Sequence, residues 1–234
     1  MEIEICANSI ESAIVANEIG AKRVELCVNL EQGGTTPPMG LIKSVNSLNN
    51  IENHVLIRCR PGDFVYSEIE IQMMCESISW CKEQKVDGVV IGALLKNNEL
   101  DIRALKRMIK AGEGLTYTFH RAIDETKDWK KAMNQLIELK FERILTSGQA
   151  KNVVLGKGIL SEMIDHADNR IQIMIGGGVK AENIKSILQE ITPNSVHFSA
   201  TKAHFSGYES SLFREKLLRT DEEIAREIIN NIKN

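Results

Sequence analysis

Residues 3–27 read IEICANSIESAIVANEIGAKRVELC and contain a strand, a helix and a second strand. Apolar runs of strand length lie at 3–6 and 23–27, one at each end of this stretch. Between them, residues 8–11 form a capping-box pattern, and Gly20 stands where a glycine commonly ends a helix. Because a strand–helix–strand order joins parallel strands through a crossover, the stretch predicts an α/β fold with a parallel sheet.

The same alternation continues along the whole chain. The apolar runs of strand length are eight: 3–6, 23–27, 55–58, 88–91, 115–120, 143–146, 172–175 and 195–199. Eight strand–helix units in 234 residues fit a (β/α)8 TIM barrel, which typically needs ~250 residues. The alternative, a doubly wound open sheet, usually has a glycine-rich turn after its first strand, whereas residues 7–9 here are Ala-Asn-Ser. The sequence therefore predicts a single TIM-barrel domain over residues 1–234.

The amino-acid composition limits the class of protein and the kinds of partner that we expect. Hydrophobic residues make up 43% of the chain and charged residues 26%, which is ordinary for a soluble globular protein. The net charge is −3, and lysine and arginine form no basic tract, so no nucleic-acid partner is expected. No apolar run is long enough to span a bilayer, and no signal-peptide pattern is present. We expect a cytoplasmic protein with no membrane partner.

Five cysteines are present, and their number and spacing restrict what they do. An odd count without a signal peptide argues against a disulfide framework. The absence of a Cys-x-x-Cys motif argues against a structural zinc site. Cys59, Cys75 and Cys81 are expected to face helices or to lie in the core as small apolar side chains. Cys6 and Cys27 differ from these because each lies at the end of a predicted strand.

The first two strands carry the same pattern, a glutamate followed two residues later by a cysteine. Alternate side chains of a strand share a face, so Glu4 points with Cys6 and Glu25 points with Cys27. We expect the two cysteines near the mouth of the barrel and the two glutamates one layer deeper. Two thiols without a completing histidine or carboxylate suit Cu(I) better than Zn(II). The alternative is two small residues that fill a tapering barrel.

Other polar residues also follow predicted strands, at the end where TIM barrels keep their functional groups. Arg58 and Arg60 share one face of the third strand and are expected either to pair with Glu4 and Glu25 or to clamp an anion. His120 ends the fifth strand and is a candidate acid, base, metal ligand or hydrogen-bonded core histidine. The less regular stretches 32–40, 60–66 and 202–219 also follow strand ends and are expected to form loops there.

The remaining histidines are harder to interpret. His197 lies on the eighth strand, and a functional and a buried structural role are about equally expected. His54, His166 and His204 lie outside the predicted strand ends, so we expect them on the surface or in loops.

A run of three glycines, Gly176, Gly177 and Gly178, follows the seventh strand directly. Such a run lets backbone N–H groups approach an anion closely, and the helix that follows favours negative charge at its N-terminus. Ser199, at the end of the eighth strand, would add a hydroxyl group to this site. The loops after strands seven and eight are the recurring phosphate site of this fold, so anion binding is the preferred interpretation. The alternative is a tight turn that needs glycine.

The chain resembles the CutC family, named for copper homeostasis. The matching segments span essentially the whole chain: EICANS at 4–9, RVELC at 23–27, GGTTP at 33–37, GDFVY at 62–66, TFHRA at 118–122, RILTSGQ at 143–149 and MIGGGV at 174–179. The resemblance implies a cytoplasmic (β/α)8 barrel, often a homodimer, with a role in copper handling through Cu(I) at cysteines. Cys6 and Cys27 fit such a thiol pair. Related sequences tend to read RPRGGDF after the third strand, whereas this chain reads RCRPGDF at 58–64.

Two functions follow from these observations, and a vestigial barrel in an oligomeric scaffold is a third interpretation. The first is a copper homeostasis protein that binds Cu(I) through Cys6 and Cys27. The second is an isomerase or lyase that acts on a small anionic, possibly phosphorylated, metabolite at the barrel mouth. In this enzyme, His120 or Glu25 would transfer protons, and Arg58 and Arg60 would clamp the anion. The phosphate group would bind to Gly176, Gly177, Gly178 and Ser199.

Overall fold

The computed structural model describes residues 1–233 and contains a closed barrel of eight parallel strands in chain order. The barrel strands are β1 (Glu2–Ala7), β2 (Arg23–Leu26), β3 (Glu52–Leu56), β4 (Gly88–Ile91), β5 (Thr116–Phe119), β6 (Arg143–Thr146), β7 (Gln172–Ile175) and β8 (Ser195–Phe198). The helices are α1 (Ile10–Glu18), α2 (Met39–Asn46), α3 (Glu68–Glu83), α4 (Ile102–Ala111), α5 (Trp129–Glu138), α6 (Lys157–Ala167), α7 (Ala181–Leu188) and α8 (Glu222–Lys233). The predicted (β/α)8 barrel is confirmed.

The main apolar core lies between the strands and the surrounding helices. Outward-facing residues of β1 and β2, such as Ile5 and Val24, are fully buried in this layer. The residues that alternate with this outward set face the barrel interior, and they are largely polar. On one side of the interior, a separate apolar cluster consists of Cys6, Cys27, Leu56 and Val90. The barrel interior is therefore part apolar and part charged.

The register of β1 against its neighbours sets which interior residues meet. Glu4 lies opposite Arg23, and Cys6 lies opposite Glu25. Closing a sheet into a barrel requires this kind of stagger between strands. The expected layering, with the two glutamates at one depth and the two cysteines at another, is therefore wrong. Glu25 lies level with Cys6, and Glu4 lies one layer below both.

Strand β3 differs from the predicted strand at 55–58. It occupies Glu52–Leu56, so Arg58 and Arg60 lie in the loop beyond its end. The apolar residues at 55–57 indicated only the second half of the strand, because its first half carries polar side chains that face the barrel interior. Once the chain leaves the strand, alternation no longer holds Arg58 and Arg60 on a common face.

The stretch 202–219, predicted to be a loop, instead contains an antiparallel hairpin. Strand β9 (Thr201–Phe205) pairs with β10 (Lys216–Thr220) outside the barrel. Asn8 Nδ2 donates to the carbonyl oxygen of Leu218 at 2.7 Å, and Thr220 N donates to Ser12 Oγ at 3.0 Å. These bonds fasten the base of the hairpin to the start of α1. Among residues 1–233, no helix combines the length and the apolar character that crossing a bilayer requires.

Candidate functional site

A cavity of about 650 Å³ opens at the C-terminal ends of the barrel strands. Sulfur, carboxylate, imidazole and guanidinium groups contributed by five different strands or strand ends line it. These groups belong to Cys6, Glu25, Arg58, His120, Arg121 and His197. Backbone and hydroxyl groups of Gly177, Gly178 and Ser199 line the same cavity. Most of the predicted site residues therefore surround one space.

The predicted thiol pair is present. Cys6 Sγ lies 3.7 Å from Cys27 Sγ, and both residues are buried free cysteines. Cys6 lines the cavity, whereas Cys27 lies behind it in the apolar cluster with Leu56. The hydrogen bond with Cys27, together with burial and the nearby charge of Glu25, raises the pKa of the Cys6 thiol well above its usual range. Without a metal, the Cys6 thiol is protonated near neutral pH.

Glu25 is a buried carboxyl group beside this pair. Its Oε1 lies 3.7 Å from Cys6 Sγ, and its Oε2 has no hydrogen-bond partner among residues 1–233. Burial raises the pKa of Glu25 to about 7, because the charged form loses hydration, although the charge of His197 opposes the shift. Glu25 can therefore hold or release a proton near neutral pH.

His197 takes part in a buried chain of charges below the cavity. Its Nδ1 lies 2.7 Å from Glu4 Oε1, and Glu4 Oε2 accepts from Arg23 Nε at 2.8 Å. Burial alone would raise the pKa of Glu4, but the hydrogen bond and charge of His197, with the charge of Arg23, lower it to about 2. Burial would lower the pKa of His197, and the charges of Glu25 and Glu4 raise it instead. The sequence left the role of His197 open. In the structure, His197 is hydrogen-bonded to a charged carboxylate.

Of the two alternatives for Arg58 and Arg60, pairing with Glu4 and Glu25 is wrong. The cation that pairs with Glu4 is Arg23, which is fully buried and also donates to Glu2 Oε2 at 2.6 Å. Arg23 was not among the predicted site residues, although it lies two positions before Glu25 on β2 and so shares its interior face. The stagger of β2 against β1 brings this guanidinium, rather than those beyond β3, to the layer of Glu4.

Arg58 is buried at the cavity wall and is held by backbone carbonyls. Its guanidinium donates to Gly34 O at 2.8 Å and to Gly62 O at 2.6 Å, and it lies over the Phe64 ring at 5.2 Å. Its Nε has no partner among the described residues. Arg58 therefore shapes the loops around the cavity and keeps one donor nitrogen unused.

Arg60 does not line the cavity. It donates to Glu70 Oε1 at 2.5 Å and to Asp63 Oδ1 at 3.1 Å, and it lies over the Tyr66 ring at 5.1 Å. These contacts fasten the loop after β3 to the N-terminus of α3. Arg121 lies at the mouth instead. Its Nε donates a hydrogen bond to Asp124 Oδ2 at 2.9 Å, which orients the guanidinium.

His120 is buried at the cavity wall against the Phe64 ring, with ring centroids 4.8 Å apart. Its Nδ1 accepts a hydrogen bond from Ala122 N at 3.1 Å, so the neutral ring carries its proton on Nε2. This Nε2 is buried and has no partner among residues 1–233. Burial, assisted by the charge of Arg58, lowers the pKa of His120 to about 3. His120 is therefore a neutral hydrogen-bond donor at physiological pH rather than a base.

The glycine run follows β7 as predicted, but its members differ. Gly176 N donates to Thr146 O at 3.0 Å and continues the sheet pattern, so Gly176 is not part of the cavity wall. Gly177 and Gly178 have φ values of 94° and 81°, and their N–H groups donate to no acceptor among residues 1–233. They line the cavity just before α7, as expected for an anion site. A Cβ at Gly177 would lie 3.1 Å from Arg121 Cζ.

His54 was expected on the surface or in a loop, and this prediction is wrong. It is 1% exposed and faces the barrel interior from β3. Its Nδ1 lies 3.5 Å from Arg143 Nη1, which also donates to Thr118 Oγ1 at 3.2 Å. Counting in steps of two back from Leu56 would have placed His54 on the interior face. Burial lowers the pKa of His54 to about 4.

Comparisons with known proteins agree with this fold. Residues 1–202 match the model of the CutC family. A CutC family protein from Parabacteroides distasonis is 46% identical over 208 residues, which cover 88% of this chain and 86% of that protein. One from Glaesserella parasuis is 42% identical over 200 residues, which cover 86% and 82%. The solved CutC structure from Streptococcus agalactiae has a TM-score of 0.81 at 37% identity, covering 85% of this chain and 98% of that one. Phosphoribosyl anthranilate isomerase from Thermotoga maritima, at 15% identity and a TM-score of 0.60 over 100% of this chain and 98% of that one, shares the fold alone.

Proposed function

The chain belongs to the CutC family, and from that premise we propose that it serves copper homeostasis by binding Cu(I) between Cys6 and Cys27. The observation that carries this proposal is the separation of 3.7 Å between two buried sulfurs, of which that of Cys6 belongs to a residue lining the mouth cavity. Thiolates are soft ligands and favour Cu(I) over harder divalent ions.

The surroundings of the thiol pair support Cu(I) as the cargo. Leu30, Leu56 and Val90 pack around the two sulfurs and restrict access of water. Cys6 faces the cavity, so an arriving ion meets its sulfur before that of Cys27. Both thiols must lose their protons to bind a metal, and the raised pKa of Cys6 makes this uptake weaker as the pH falls.

An anaerobic Cu(I) titration against a colorimetric chelator tests the proposal. We expect the Cys6→Ser and Cys27→Ser variants to bind Cu(I) at least tenfold more weakly than the wild type, a loss of about 1.4 kcal/mol or more. Cys81→Ser is the matched control, because it removes a buried thiol from the outer core and should leave the affinity unchanged. An unchanged affinity in the Cys6→Ser/Cys27→Ser double variant would falsify the thiol-pair site.

A second candidate function is favoured by unpaired polar groups around the cavity. Glu25 Oε2, Arg58 Nε and His120 Nε2 are buried without partners among residues 1–233. Leaving such groups unsatisfied costs about 1–3 kcal/mol each, so a ligand that pairs with them is stabilised. We propose as the alternative an isomerase or lyase acting on a small anionic substrate. Glu25 would transfer the proton, and His120 would donate a hydrogen bond to the developing negative charge.

The anion would bind where Gly177 and Gly178 present free N–H groups to the cavity that Arg121 and Ser199 also line. A thermal-shift screen with inorganic phosphate, sugar phosphates and carboxylates tests this alternative. A ligand at 100 times its Kd adds about 2.7 kcal/mol, or roughly 5 °C or more in Tm. Gly177→Ala should abolish the shift, whereas Gly114→Ala, at another glycine with positive φ, should not. The absence of any anion-dependent shift in the wild type contradicts the enzyme proposal.

A further inference from the structure

We propose that Cys6, Glu25 and His197 form a three-ligand site for a divalent metal ion of the zinc class, open toward the mouth cavity. One candidate ligand atom from each residue lies within 4.8 Å of the other two. This site goes beyond the Cu(I) proposal, since it shares Cys6 with the thiol pair but does not include Cys27.

The topology explains why these three residues meet. Strand β1 pairs with β2 on one side and with β8 on the other. Cys6 lies opposite Glu25 in the first pairing, and Glu4 lies opposite His197 in the second. Cys6 thus lies directly beside Glu25, and His197 is its diagonal neighbour on the other side. Two thiols without a completing histidine or carboxylate favour Cu(I), and the barrel brings both of these groups to Cys6.

A buried second layer already holds His197 in the orientation that a metal ligand needs. Its Nδ1 is engaged by Glu4, so Nε2, which makes no hydrogen bond within residues 1–233, is the nitrogen available to an ion. Glu4 is held in turn by Arg23, and both side chains are fully buried. Metal-binding histidines almost always donate their other ring nitrogen to a carboxylate or carbonyl in this way.

Glu25 provides an independent indication of a missing partner. Its Oε2 is buried and has no hydrogen-bond partner among residues 1–233. A bound cation would satisfy this oxygen and favour the charged form of the carboxyl group.

Charge balance favours a divalent ion at this site. The thiolate of Cys6 and the carboxylate of Glu25 together bring two negative charges, and the charge of Glu4 is balanced by Arg23. A divalent ion neutralises these two charges, which lowers the cost of holding them in a low-dielectric interior.

The donor set and its spacing fit zinc-class chemistry. Zn²⁺ accepts sulfur, nitrogen and oxygen ligands at about 2.0–2.3 Å, which places tetrahedral ligand atoms roughly 3.3–3.8 Å apart. Candidate atoms within 4.8 Å of one another would approach by up to about 1.5 Å around an ion. Catalytic zinc sites keep three protein ligands and one open position. Here the open position faces the cavity, where a water molecule or an anionic ligand could bind.

Titration of the metal-free protein with Zn²⁺ and with Co²⁺ tests the inference, because cobalt bound to thiolate absorbs in the near ultraviolet. We expect one ion per chain and a thiolate-to-cobalt band that Cys6→Ser removes. His197→Gln and Glu25→Gln should each weaken binding at least tenfold, and Glu4→Gln, which acts through His197, should weaken it by about 10–100-fold. Cys27→Ser should still bind one Co²⁺ per chain and keep the thiolate-to-cobalt band, and His166→Gln controls for loss of a histidine elsewhere.

The outcome separates this site from the thiol pair. If the wild type binds neither Zn²⁺ nor Co²⁺ stoichiometrically, the inference is wrong, whatever the variants do. If Cys27→Ser abolishes Co²⁺ binding while His197→Gln retains it, the thiol pair alone is the metal site. Cu(I) titration of His197→Gln should give wild-type affinity if the thiol-pair proposal holds, so the two can fail separately. Thermal melts of the metal-free variants confirm that each is folded.

Discussion

Arg23 is the residue on which the charged interior of the barrel depends. Its guanidinium is fully buried and bonds to both Glu4 and Glu2. Removing one partner of a buried ion pair costs about 3–5 kcal/mol, because the other charge is left without compensation.

We therefore expect Arg23→Met to lower the free energy of unfolding by about 3–5 kcal/mol, measured by urea denaturation. Lys22→Met is the matched control, because Lys22 forms an exposed salt bridge with Glu52 worth about 0–1 kcal/mol. Adding Glu4→Gln to Arg23→Met should restore part of the loss. Equal effects of the Arg23 and Lys22 substitutions would contradict this account.

His54 makes stability depend on pH. Its pKa of about 4 in the folded protein lies below the usual 6.5, mainly because burial disfavours the charged form, with Arg143 and Arg23 adding to this and Glu4 and Glu52 opposing it. The neutral form therefore contributes stability that is complete above pH 6.5 and is lost as the pH falls toward 4. A shift of this size corresponds to about 3 kcal/mol.

The free energy of unfolding, measured between pH 4 and 8 for the wild type and His54→Gln, checks this dependence. The wild type should lose about 3 kcal/mol more than the variant between pH 6.5 and 4. Because His120 titrates in the same direction in both proteins, its contribution cancels in the difference. Parallel curves over this range would show that burial of His54 does not set the acid dependence.

At the scale of elements, the loop after β3 divides two arginines that the sequence placed on one face. Arg58 is buried and bonded to loop carbonyls, whereas Arg60 is partly exposed and bonded to Glu70 of α3. We expect Arg58→Ala to lower stability by about 3 kcal/mol or more, and Arg60→Ala by about 1 kcal/mol, in urea denaturation.

The same pair of variants reports on the cavity. Arg60→Ala should leave metal and anion binding unchanged, because Arg60 does not line the cavity. A loss of binding in Arg60→Ala equal to that in Arg58→Ala would indicate that the loop after β3 reaches the mouth by a different path.

At the scale of the whole molecule, the homodimer implied by the family resemblance stays a prediction. The chain has a mass of 26.2 kDa, so sedimentation equilibrium should give about twice this value. Chain concentrations from nanomolar to micromolar would reveal the dissociation constant. A mass that remains at that of one chain throughout would contradict the dimer.

Much of the fold was predictable because it rests on local patterns. Strands at 88–91, 143–146 and 172–175 lie where their apolar runs indicated. Such a run between two helical patterns identifies a strand with little information about tertiary contacts. The first half of β3 was missed because polar residues there face a polar barrel interior. The hairpin of β9 and β10 was missed because its strands lie outside the barrel core and carry no clear alternation.

By itself, the sequence determined the (β/α)8 architecture, the family, and most of the polar residues that reach the barrel mouth. The tertiary structure alone decided which of those residues meet. The stagger of β1 against β2 and β8 set Cys6 beside Glu25 and brought His197 and Arg23 to Glu4. No pattern within one strand specifies that stagger, because it arises only when eight tilted strands close into a barrel and every register must be consistent at once.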